Sequence, residues 1–284
     1  MTQYAEVIGD PIAHSKSPVI HCFWLKALGL DGDYRRTQVV ADALPAFLAR
    51  RRADPDWRGC NVTIPHKQAV LPLLDAVDPV AAKIGAVNTI VARDGRLIGY
   101  NSDAAGFLAP LRPWLDERHM LRTARIFGAG GAARAIAHGL WGEGFTLILA
   151  ARRTRAAAEI AAGFDPGFVH VTDLAHFAAP LDFDWKEMDG RLDVVVNATS
   201  CGMTGQPPLD LDFSHMPPGA IVYDAVYAPL ETPLLKQAKA LGHPIVDGLQ
   251  MLTGQARIAF RLLFDADPPA DAESEVALRD LLLA

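Results

Sequence analysis

Short apolar runs alternate with amphipathic stretches along the chain, and this alternation predicts strands and helices in turn. Over the first hundred residues it predicts strands at Ala5–Gly9, Asp33–Val40, Gly59–Ile64, Ala86–Arg93 and Leu97–Tyr100, and helices at Pro18–Leu28, Leu44–Arg52 and Ala69–Leu74. Ser17 is the expected N-cap of the first helix, and Asp94-Gly95 predicts a hairpin between the last two strands. Strands that alternate with helices favour a mostly parallel sheet.

The same alternation starts again after Asp103. It predicts strands at Ala124–Phe127, Phe145–Ala150, Asp193–Asn197, Ala220–Asp224 and Pro244–Asp247, and helices at Ala104–Leu115, Ala132–Trp141, Arg155–Ala162, Pro233–Leu241, Leu249–Phe264 and Ala272–Leu283. Strand–helix units at this spacing predict a second, doubly wound α/β unit. The segment 163–190 follows neither period and stays unassigned, and we expect a loop-rich insertion around Asp182–Trp185.

Composition and charge exclude several classes of function but do not identify one. The chain has 284 residues, of which 50% are hydrophobic and 21% charged, and its formal net charge of −6 predicts no nucleic-acid partner. No apolar run is long enough for a membrane span, and the first residues do not form a signal peptide. Three scattered cysteines suit a reducing compartment, so we expect a cytoplasmic protein without a membrane partner. The nine histidines form no metal-binding motif, and we expect no metal.

One glycine-rich turn points to a cofactor. It joins a predicted strand to a predicted helix, and Gly128, Gly130 and Ala133 fit the dinucleotide pattern G-x-G-x-x-G/A. Gly128 permits a tight turn, Gly130 lets the backbone approach a pyrophosphate, and Ala133 lets the helix pack close to the strand. The helix N-terminus then offers free N–H groups and a positive dipole to the phosphates. Similar turns also occur without nucleotides, so this motif alone leaves the cofactor open.

The residues after the next strand favour one of the two nicotinamide cofactors. An acidic residue there would bind the ribose 2′-hydroxyl of NAD, whereas this chain has Arg152 and Arg153. Two guanidinium groups suit a 2′-phosphate, so the charges favour NADP over NAD. The alternative is a solvated arginine pair. Cations at a helix N-terminus interact unfavourably with the helix dipole, however, so two arginines there suggest a function.

Four polar segments lie outside the doubly wound unit, each at the C-terminal end of a predicted strand or hairpin. They are Gly9–Pro18, Asn61–Lys67, Gly85–Thr89 and Gly99–Asp103. Ligand crevices of open α/β sheets lie at the carboxyl ends of strands, so these segments are candidates for a substrate site.

With these segments, and with Asn197–Ser200, Tyr223–Pro233 and Asp247–Gln255, the chain resembles the shikimate dehydrogenases over nearly its full length. The resemblance implies reversible, NADP-linked reduction of 3-dehydroshikimate to shikimate in aromatic amino-acid biosynthesis. It also implies an α/β fold with an N-terminal substrate domain, residues 1–103 completed by the helices of 249–284. A Rossmann NADP-binding domain, residues 104–248, would follow, with the active site in the cleft between the domains.

The resemblance also assigns site residues. Lys67 and Asp103 match the catalytic lysine and aspartate, which assist proton transfer at the substrate oxygen. The substrate-binding positions are Ser15, Ser17, Thr63, Lys67, Asn88, Asp103, Tyr227 and Gln255. The cofactor-binding positions are Gly128, Ala129, Gly130, Gly131, Ala132, Ala151, Arg152, Arg153, Thr154, Thr199, Ser200, Ala225, Gly248 and Met251. His14, His21 and His66 receive no role.

Three positions depart from the family pattern. Ala151-Arg152-Arg153 stands where Asn-Arg-Thr is common, which loses an asparagine contact and gains an arginine. Gln250 replaces a glycine beside the nicotinamide, and Ser102 replaces the usual threonine before Asp103.

Three other functions compete with this interpretation. They are a quinate/shikimate dehydrogenase that uses NAD, a folate dehydrogenase/cyclohydrolase, and a nucleotide-sensing protein without turnover. The missing acidic residue after Leu149 argues against the first, and the serine pair and Asp103 fit the second poorly. The retained lysine and aspartate argue against the third. We expect a small-molecule substrate and a monomer or homodimer.

Overall fold

The computed structural model describes residues 2–185 and 190–283, which divide into two compact units. The first unit holds the residues up to Gly106 together with those from Leu252 onward, and the second holds Phe107–Met251. Both junctions lie three residues later than the boundaries expected from the sequence, 103 and 249. Among the described residues, no helix is both long and apolar enough to cross a membrane.

The elements are numbered in chain order over the described residues. The strands are β1 Gln3–Gly9, β2 Gly32–Gln38, β3 Trp57–Val62, β4 Ala76–Val77, β5 Thr89–Arg93, β6 Arg96–Tyr100, β7 Leu121–Phe127, β8 Thr146–Ala151, β9 Val169–Asp173, β10 Arg191–Asn197, β11 Ile221–Asp224 and β12 Ile245–Val246. The α-helices are α1 Ser17–Ala27, α2 Leu44–Arg52, α3 His66–Ala69, α4 Pro79–Ile84, α5 Asp103–Leu108, α6 Arg112–Leu115, α7 Gly131–Gly142, α8 Thr154–Ala161, α9 Pro233–Ala240, α10 Gly248–Phe264 and α11 Ala272–Leu283.

The sheet of the first unit is mostly parallel, as predicted, and only β5 of its six strands runs in the opposite direction. Its strand order is β2-β1-β3-β5-β6-β4. The strands β1, β2 and β3 are parallel, but β5 runs antiparallel to β3 and pairs with β6 in a hairpin. The hairpin itself was predicted and is confirmed, since Asp94 and Gly95 both have positive φ (52° and 71°), as a tight two-residue turn requires.

Two predicted helices are wrong because proline interrupts them. The helix expected at Ala69–Leu74 is instead α3, followed by a short 3₁₀ turn at Leu71–Leu73 that contains Pro72. The helix expected at Ala104–Leu115 is broken into α5, a 3₁₀ turn at Ala109–Leu111 and α6. Proline lacks the N–H that an uninterrupted α-helix would need at these positions.

The second unit contains a parallel sheet in the order β12-β11-β10-β7-β8-β9. This order, in which the first strand β7 lies beside β8 on one side and β10 on the other, is that of the Rossmann fold. The strand β9, Val169–Asp173, lies in the part of the chain that the sequence left unassigned, before the insertion expected around Asp182–Trp185. Residues 186–189 of the segment lie outside the described residues.

Buried apolar side chains cover both faces of each sheet. In the first unit, Tyr4 and Ile8 of β1 pack into one cluster while Ala5 and Val7 pack into another. In the second unit, Ala124 and Ile126 of β7 face one cluster and Phe127 the opposite one. The central strands therefore read as nearly continuous apolar runs, as is typical of parallel sheets covered on both faces.

The core of the first unit contains one histidine that should reduce stability in acid. His21 of α1 is fully buried and stacks on Tyr34 with ring centroids 4.1 Å apart, and neither ring nitrogen has a hydrogen-bond partner among the described residues. Burial lowers the pKa of His21 from 6.5 to about 3. The unfolded chain therefore takes up a proton below pH 6.5 that the folded chain refuses, so stability is lost as the pH falls from 6.5 towards 3.

We expect His21→Phe to stabilise the protein, because it removes a buried polar ring without a partner and keeps the stacking. The gain in unfolding free energy should be about 1–2 kcal/mol at pH 7.5 and grow by about 2 kcal/mol at pH 5. Urea unfolding at the two pH values measures both numbers. The same substitution at exposed His170 is the matched control. A pH-independent difference would contradict the assigned cause.

Candidate active site

Four polar segments meet at one edge of the first unit's sheet. The parallel strands β1 and β3 are neighbours, so the segments that follow them leave from the same edge. The segment Gly85–Thr89 precedes strand β5 rather than following it, but β5 is antiparallel to β3, and Thr89 pairs with Asn61 and with Tyr100. The reversed direction of β5 therefore brings the start of that strand to the edge where β1, β3 and β6 end.

The serine-containing loop after β1 is held close to the end of β3. A Cβ on Gly9 would lie 2.5 Å from Cγ2 of Thr63, so only glycine fits this approach. The Asp10 N–H donates to the Ile64 carbonyl oxygen (2.9 Å), which ties the start of the loop to the next segment.

Ser15 and Ser17 lie together in this loop, with their hydroxyl oxygens 3.3 Å apart. Ser17 is the first residue of α1 and Lys16 occupies the N-cap position, so the predicted N-cap role of Ser17 is wrong. The Lys16 side chain does not cap the helix, the Ser17 N–H donates to Ser15 Oγ (3.3 Å), and Pro18 has no N–H to offer. Arg36 Nε donates to the Ser15 carbonyl oxygen (2.7 Å), and Lys16 Nζ donates to the Leu282 carbonyl oxygen near the end of α11.

The two candidate catalytic residues form an ion pair. Lys67 Nζ lies 2.5 Å from Asp103 Oδ2, and their side chains are only 15% and 6% exposed. Lys67 is in α3, directly after β3, and its carbonyl oxygen accepts from the Val87 N–H (2.7 Å). Asp103 is the first residue of α5, where the free N–H groups and helix dipole favour a carboxylate. A partly buried ammonium beside a fixed carboxylate can exchange a proton with a ligand oxygen.

Asn88 connects this pair to the end of β6. Its Nδ2 donates to Asp103 Oδ1 (2.9 Å) and its Oδ1 accepts from the Ser102 N–H (2.9 Å). The Ser102 hydroxyl lies 2.9 Å from Asn88 Nδ2 and 3.3 Å from Gln255 Oε1, so serine keeps a hydrogen-bonding role at this position.

Gln255 reaches these residues because two glycines let their helices touch. A Cβ on Gly106 of α5 would lie 2.4 Å from the Gln255 backbone nitrogen, and one on Gly254 of α10 would lie 2.9 Å from the Gly106 carbonyl oxygen. The structure thus brings Lys67, Asn88, Asp103 and Gln255 together through direct hydrogen bonds, with Thr63 in the adjoining loop. Tyr227 is different, since it belongs to the second unit and follows β11.

In the second unit, the glycine turn lies at the switch point of the Rossmann sheet. Gly128 follows β7 with φ of 117°, and a Cβ there would lie 2.8 Å from the Ala198 carbonyl oxygen, so a side chain would clash with the loop after β10. Ala133 is fully buried against the sheet, as predicted for the third position of the motif.

Gly130 gives the clearest sign that this turn fits a dinucleotide. Its φ of −87° is open to any residue, and a Cβ added there would meet no protein atom within 4 Å. Neither strain nor packing therefore explains a glycine. It occupies the N-cap of α7, which no side chain caps, so a bound pyrophosphate would find both space and free N–H groups. Gly128, Ala129, Gly130, Gly131 and Ala132 form this turn and the first residues of the helix.

The arginine pair stands at the next strand end. Ala151 closes β8 and is buried, whereas Arg152 and Arg153 are exposed before α8, which begins at Thr154. Neither guanidinium group is hydrogen-bonded or ion-paired to another of the residues that the structure describes. Exposed cations with no protein partner at a helix start are suited to a phosphate.

The remaining cofactor candidates surround the ends of β10 and β11. Thr199 and Ser200 follow β10, Ala225 follows β11, and a Cβ on Gly248 would lie 2.7 Å from the Ala225 carbonyl oxygen. Met251, in contrast, is 7% exposed and packs in the core of the unit. The Met251 side chain is therefore packed among the buried apolar residues of the second unit.

Sequence reasoning missed the buried pair that shapes these loops, Asn197 and Asp224. Asp224 accepts from Asn197 Nδ2 (2.9 Å), the Val226 N–H (2.9 Å) and the Thr232 hydroxyl (2.7 Å). Burial raises the pKa of Asp224 to about 6, although these hydrogen bonds oppose the shift. Asn197 Oδ1 in turn accepts from both the N–H and the hydroxyl of Thr199. The available signal was that each of these two apolar strands ends in a polar residue, β10 in Asn197 and β11 in Asp224.

A Rossmann unit with an open phosphate turn, and a separate α/β unit with a Lys–Asp pair, define a dehydrogenase that uses a dinucleotide cofactor. Residues 7–90 match the family described as the shikimate dehydrogenase substrate binding domain. The chain is 51% identical to the shikimate dehydrogenase (NADP(+)) of Sphingopyxis alaskensis, over 99% of this chain and 97% of that protein.

Solved structures agree with this relationship. The shikimate 5-dehydrogenase of Thermus thermophilus, in complex with NADP(H) and shikimate, is 37% identical with a TM-score of 0.81, covering 98% of this chain and 99% of that one. The quinate dehydrogenase of Corynebacterium glutamicum, in complex with NAD, is 32% identical with a TM-score of 0.80, covering 99% of both chains. The chain belongs to the shikimate dehydrogenase family.

Proposed function

We propose that this protein catalyses the reversible, NADP-dependent reduction of 3-dehydroshikimate to shikimate, a step of aromatic amino-acid biosynthesis. The buried Lys67–Asp103 pair carries the proposal, because it supplies a proton donor and its positioning partner where the polar segments of the first unit meet. The identity of 51% with a shikimate dehydrogenase (NADP(+)) supports the choice of substrate and cofactor.

The first unit, up to Gly106 and from Leu252 onward, serves as the substrate domain, and it corresponds to the domain expected at residues 1–103 with 249–284. We assign the substrate carboxylate to Ser15, Ser17 and Tyr227, since their hydroxyl groups can donate to it and the positive end of the α1 dipole favours an anion. Thr63, Asn88, Asp103 and Gln255 bind the ring hydroxyls. Buried amide and carboxylate groups select strongly for a hydroxylated ring, because a ligand without the hydroxyls would leave them unpaired.

Lys67 provides the proton. As the ketone oxygen gains negative charge during reduction, the Lys67 ammonium stabilises that charge and donates its proton to the oxygen. In the direction of oxidation, the neutral amine of Lys67 accepts the hydroxyl proton. Asp103 orients Lys67 through Oδ2 and remains an acceptor for a substrate hydroxyl.

The second unit, Phe107–Met251, binds the cofactor, and it corresponds to the domain expected at residues 104–248. Gly128–Ala132 hold the pyrophosphate, Ala151–Thr154 with Arg152 and Arg153 hold the 2′-phosphate, and Thr199, Ser200, Ala225, Gly248 and Met251 surround the nicotinamide half. When bound, NADPH supplies the hydride. The loops after β10 and β11 are held in place by the hydrogen bonds of Asn197 and Asp224.

A direct assay tests this function. Purified protein is mixed with NADPH and 3-dehydroshikimate, the loss of NADPH absorbance is followed, and the product is identified by mass spectrometry. We expect stoichiometric formation of shikimate. Absence of NADPH consumption by folded protein would refute the proposed function.

A further inference from the structure

Two buried polar residues lie behind the Lys67–Asp103 pair and have no assigned role. Asn61 of β3 and Thr89 of β5 are directly paired across the two antiparallel strands, and they are 6% and 0% exposed. A buried polar side chain on a central strand is costly unless it is fully hydrogen-bonded. Their bonds connect to Asn88 on one side and to Tyr34 of β2 on the other.

The direction of each bond is fixed by groups that can act in only one way. The Ser102 N–H can only donate, so the atom of Asn88 that faces it is the oxygen, and Asn88 Nδ2 must face Asp103. The backbone carbonyl oxygen of Asn88 can only accept, so the atom of Asn61 that faces it is Nδ2 (3.3 Å). Both amide orientations therefore follow from backbone groups.

Thr89 links the two amides. Asn61 Nδ2 donates to Thr89 Oγ1 (3.0 Å), so the hydroxyl proton of Thr89 is free to donate to Asn88 Oδ1 (3.0 Å). Asn61 Oδ1 accepts from the Tyr34 hydroxyl (2.5 Å). All donors thus point the same way, from Tyr34 through Asn61, Thr89 and Asn88 to the Asp103 carboxylate.

We propose that Thr89 and Asn61 are positioning residues of the reaction, which fix the Asn88 amide and thereby the carboxylate of Asp103 that holds Lys67. This inference rests on the proposed function, because it assigns Asp103 and Lys67 their catalytic role. Tyr34 is the terminal donor, and its hydroxyl satisfies the Asn61 side-chain oxygen, whose position the Asn88 backbone carbonyl has already fixed. If Thr89 lost its hydroxyl, Asn88 Oδ1 would lose one of its donors and Asn61 Nδ2 one of its acceptors.

A matched pair of variants separates the hydroxyl from packing. Thr89→Val keeps the shape of the side chain and removes the hydroxyl, whereas Thr89→Ser keeps the hydroxyl and removes the methyl group. We expect Thr89→Val to lower kcat/KM for shikimate about tenfold or more, mainly in kcat, while Thr89→Ser stays within about twofold of the wild type. The Kd of NADP⁺ should be unchanged in both, since the second unit is untouched.

Thr123→Val is the control for the general effect of removing a hydroxyl from a buried threonine in a strand. Thr123 lies in β7 of the second unit and accepts from Arg191 Nη2 (2.8 Å), so its loss costs stability without touching Asp103. Tyr34→Phe removes only the terminal donor, and we expect kcat to fall about two- to fivefold. Shikimate Kd by calorimetry and thermal unfolding are recorded for every variant.

Three outcomes would overturn the inference. Thr89→Val could keep the wild-type kcat and shikimate Kd, Thr89→Ser could be as impaired as Thr89→Val, or Thr123→Val could lower kcat equally. An inactive but folded wild-type protein would instead refute the proposed function, so the two failures are distinguishable.

Discussion

Turnover should fall about 10³-fold when Lys67 is replaced by alanine, while the Kd of NADP⁺ stays within about twofold of the wild type. The side chain lost is the one that donates the proton and stabilises charge on the substrate oxygen, and it belongs to the first unit, whereas the residues proposed to bind the cofactor belong to the second. Steady-state kinetics with shikimate and NADP⁺, beside a fluorescence titration of NADPH, measures the two quantities.

A second lysine provides the control for the loss of one positive charge and for the replacement of a residue in a short helix. Lys83 is exposed in the last turn of α4, and Lys83→Ala should leave turnover unchanged. Lys67→Arg is informative because it keeps the positive charge but holds its proton too firmly to exchange it. Near-wild-type turnover in Lys67→Ala would remove this residue from the chemistry.

Loss of the arginine pair should weaken NADP⁺ binding strongly and NAD⁺ binding hardly at all. We expect each of Arg152→Ala and Arg153→Ala to raise the Kd of NADP⁺ about tenfold, and the double variant about 100-fold, since each charge-assisted bond to a phosphate contributes about 1.5 kcal/mol. Calorimetric titration with NADP⁺ and NAD⁺ measures the ratio directly.

The specificity of this effect can be checked in two ways. Arg118 is exposed in the same unit, and Arg118→Ala should change neither Kd. The wild-type Kd for NADP⁺ should also rise with salt more steeply than that for NAD⁺, because screening weakens exposed charge pairs. Equal losses for both cofactors in the double variant would show that these arginines support the fold and do not read the 2′-phosphate.

The sequence predicted most of the Rossmann unit because its strands are long, apolar and separated by helices of clear period. The edge strand β9 escaped detection, since an exposed edge strand such as Val169–Asp173 has only one well-buried residue and so lacks an apolar run. In the first unit, the Asp94-Gly95 turn predicted that β5 and β6 run in opposite directions. That β5 lies beside β3 was not predictable, because the neighbours of a strand are set by the chain connections in three dimensions.

The candidate site was predictable only in part. Lys67 and Asp103 carry no local signal that separates them from surface residues, and the resemblance to a family pointed to them. The structure adds that Asn88 bonds Asp103 directly and that Gln255 approaches through the contact of Gly106 with Gly254. Asn61 and Thr89 were missed because a polar residue in a strand shows no partner until the strands are paired.

The most direct measurement compares kcat/KM for four pairs, shikimate or quinate with NADP⁺ or NAD⁺, on one preparation of the protein. We expect shikimate with NADP⁺ to exceed every other pair by at least about tenfold, given the arginine pair and the absence of an acidic residue after β8. A higher value for quinate with NAD⁺ would contradict this and would place the protein functionally with the quinate dehydrogenases.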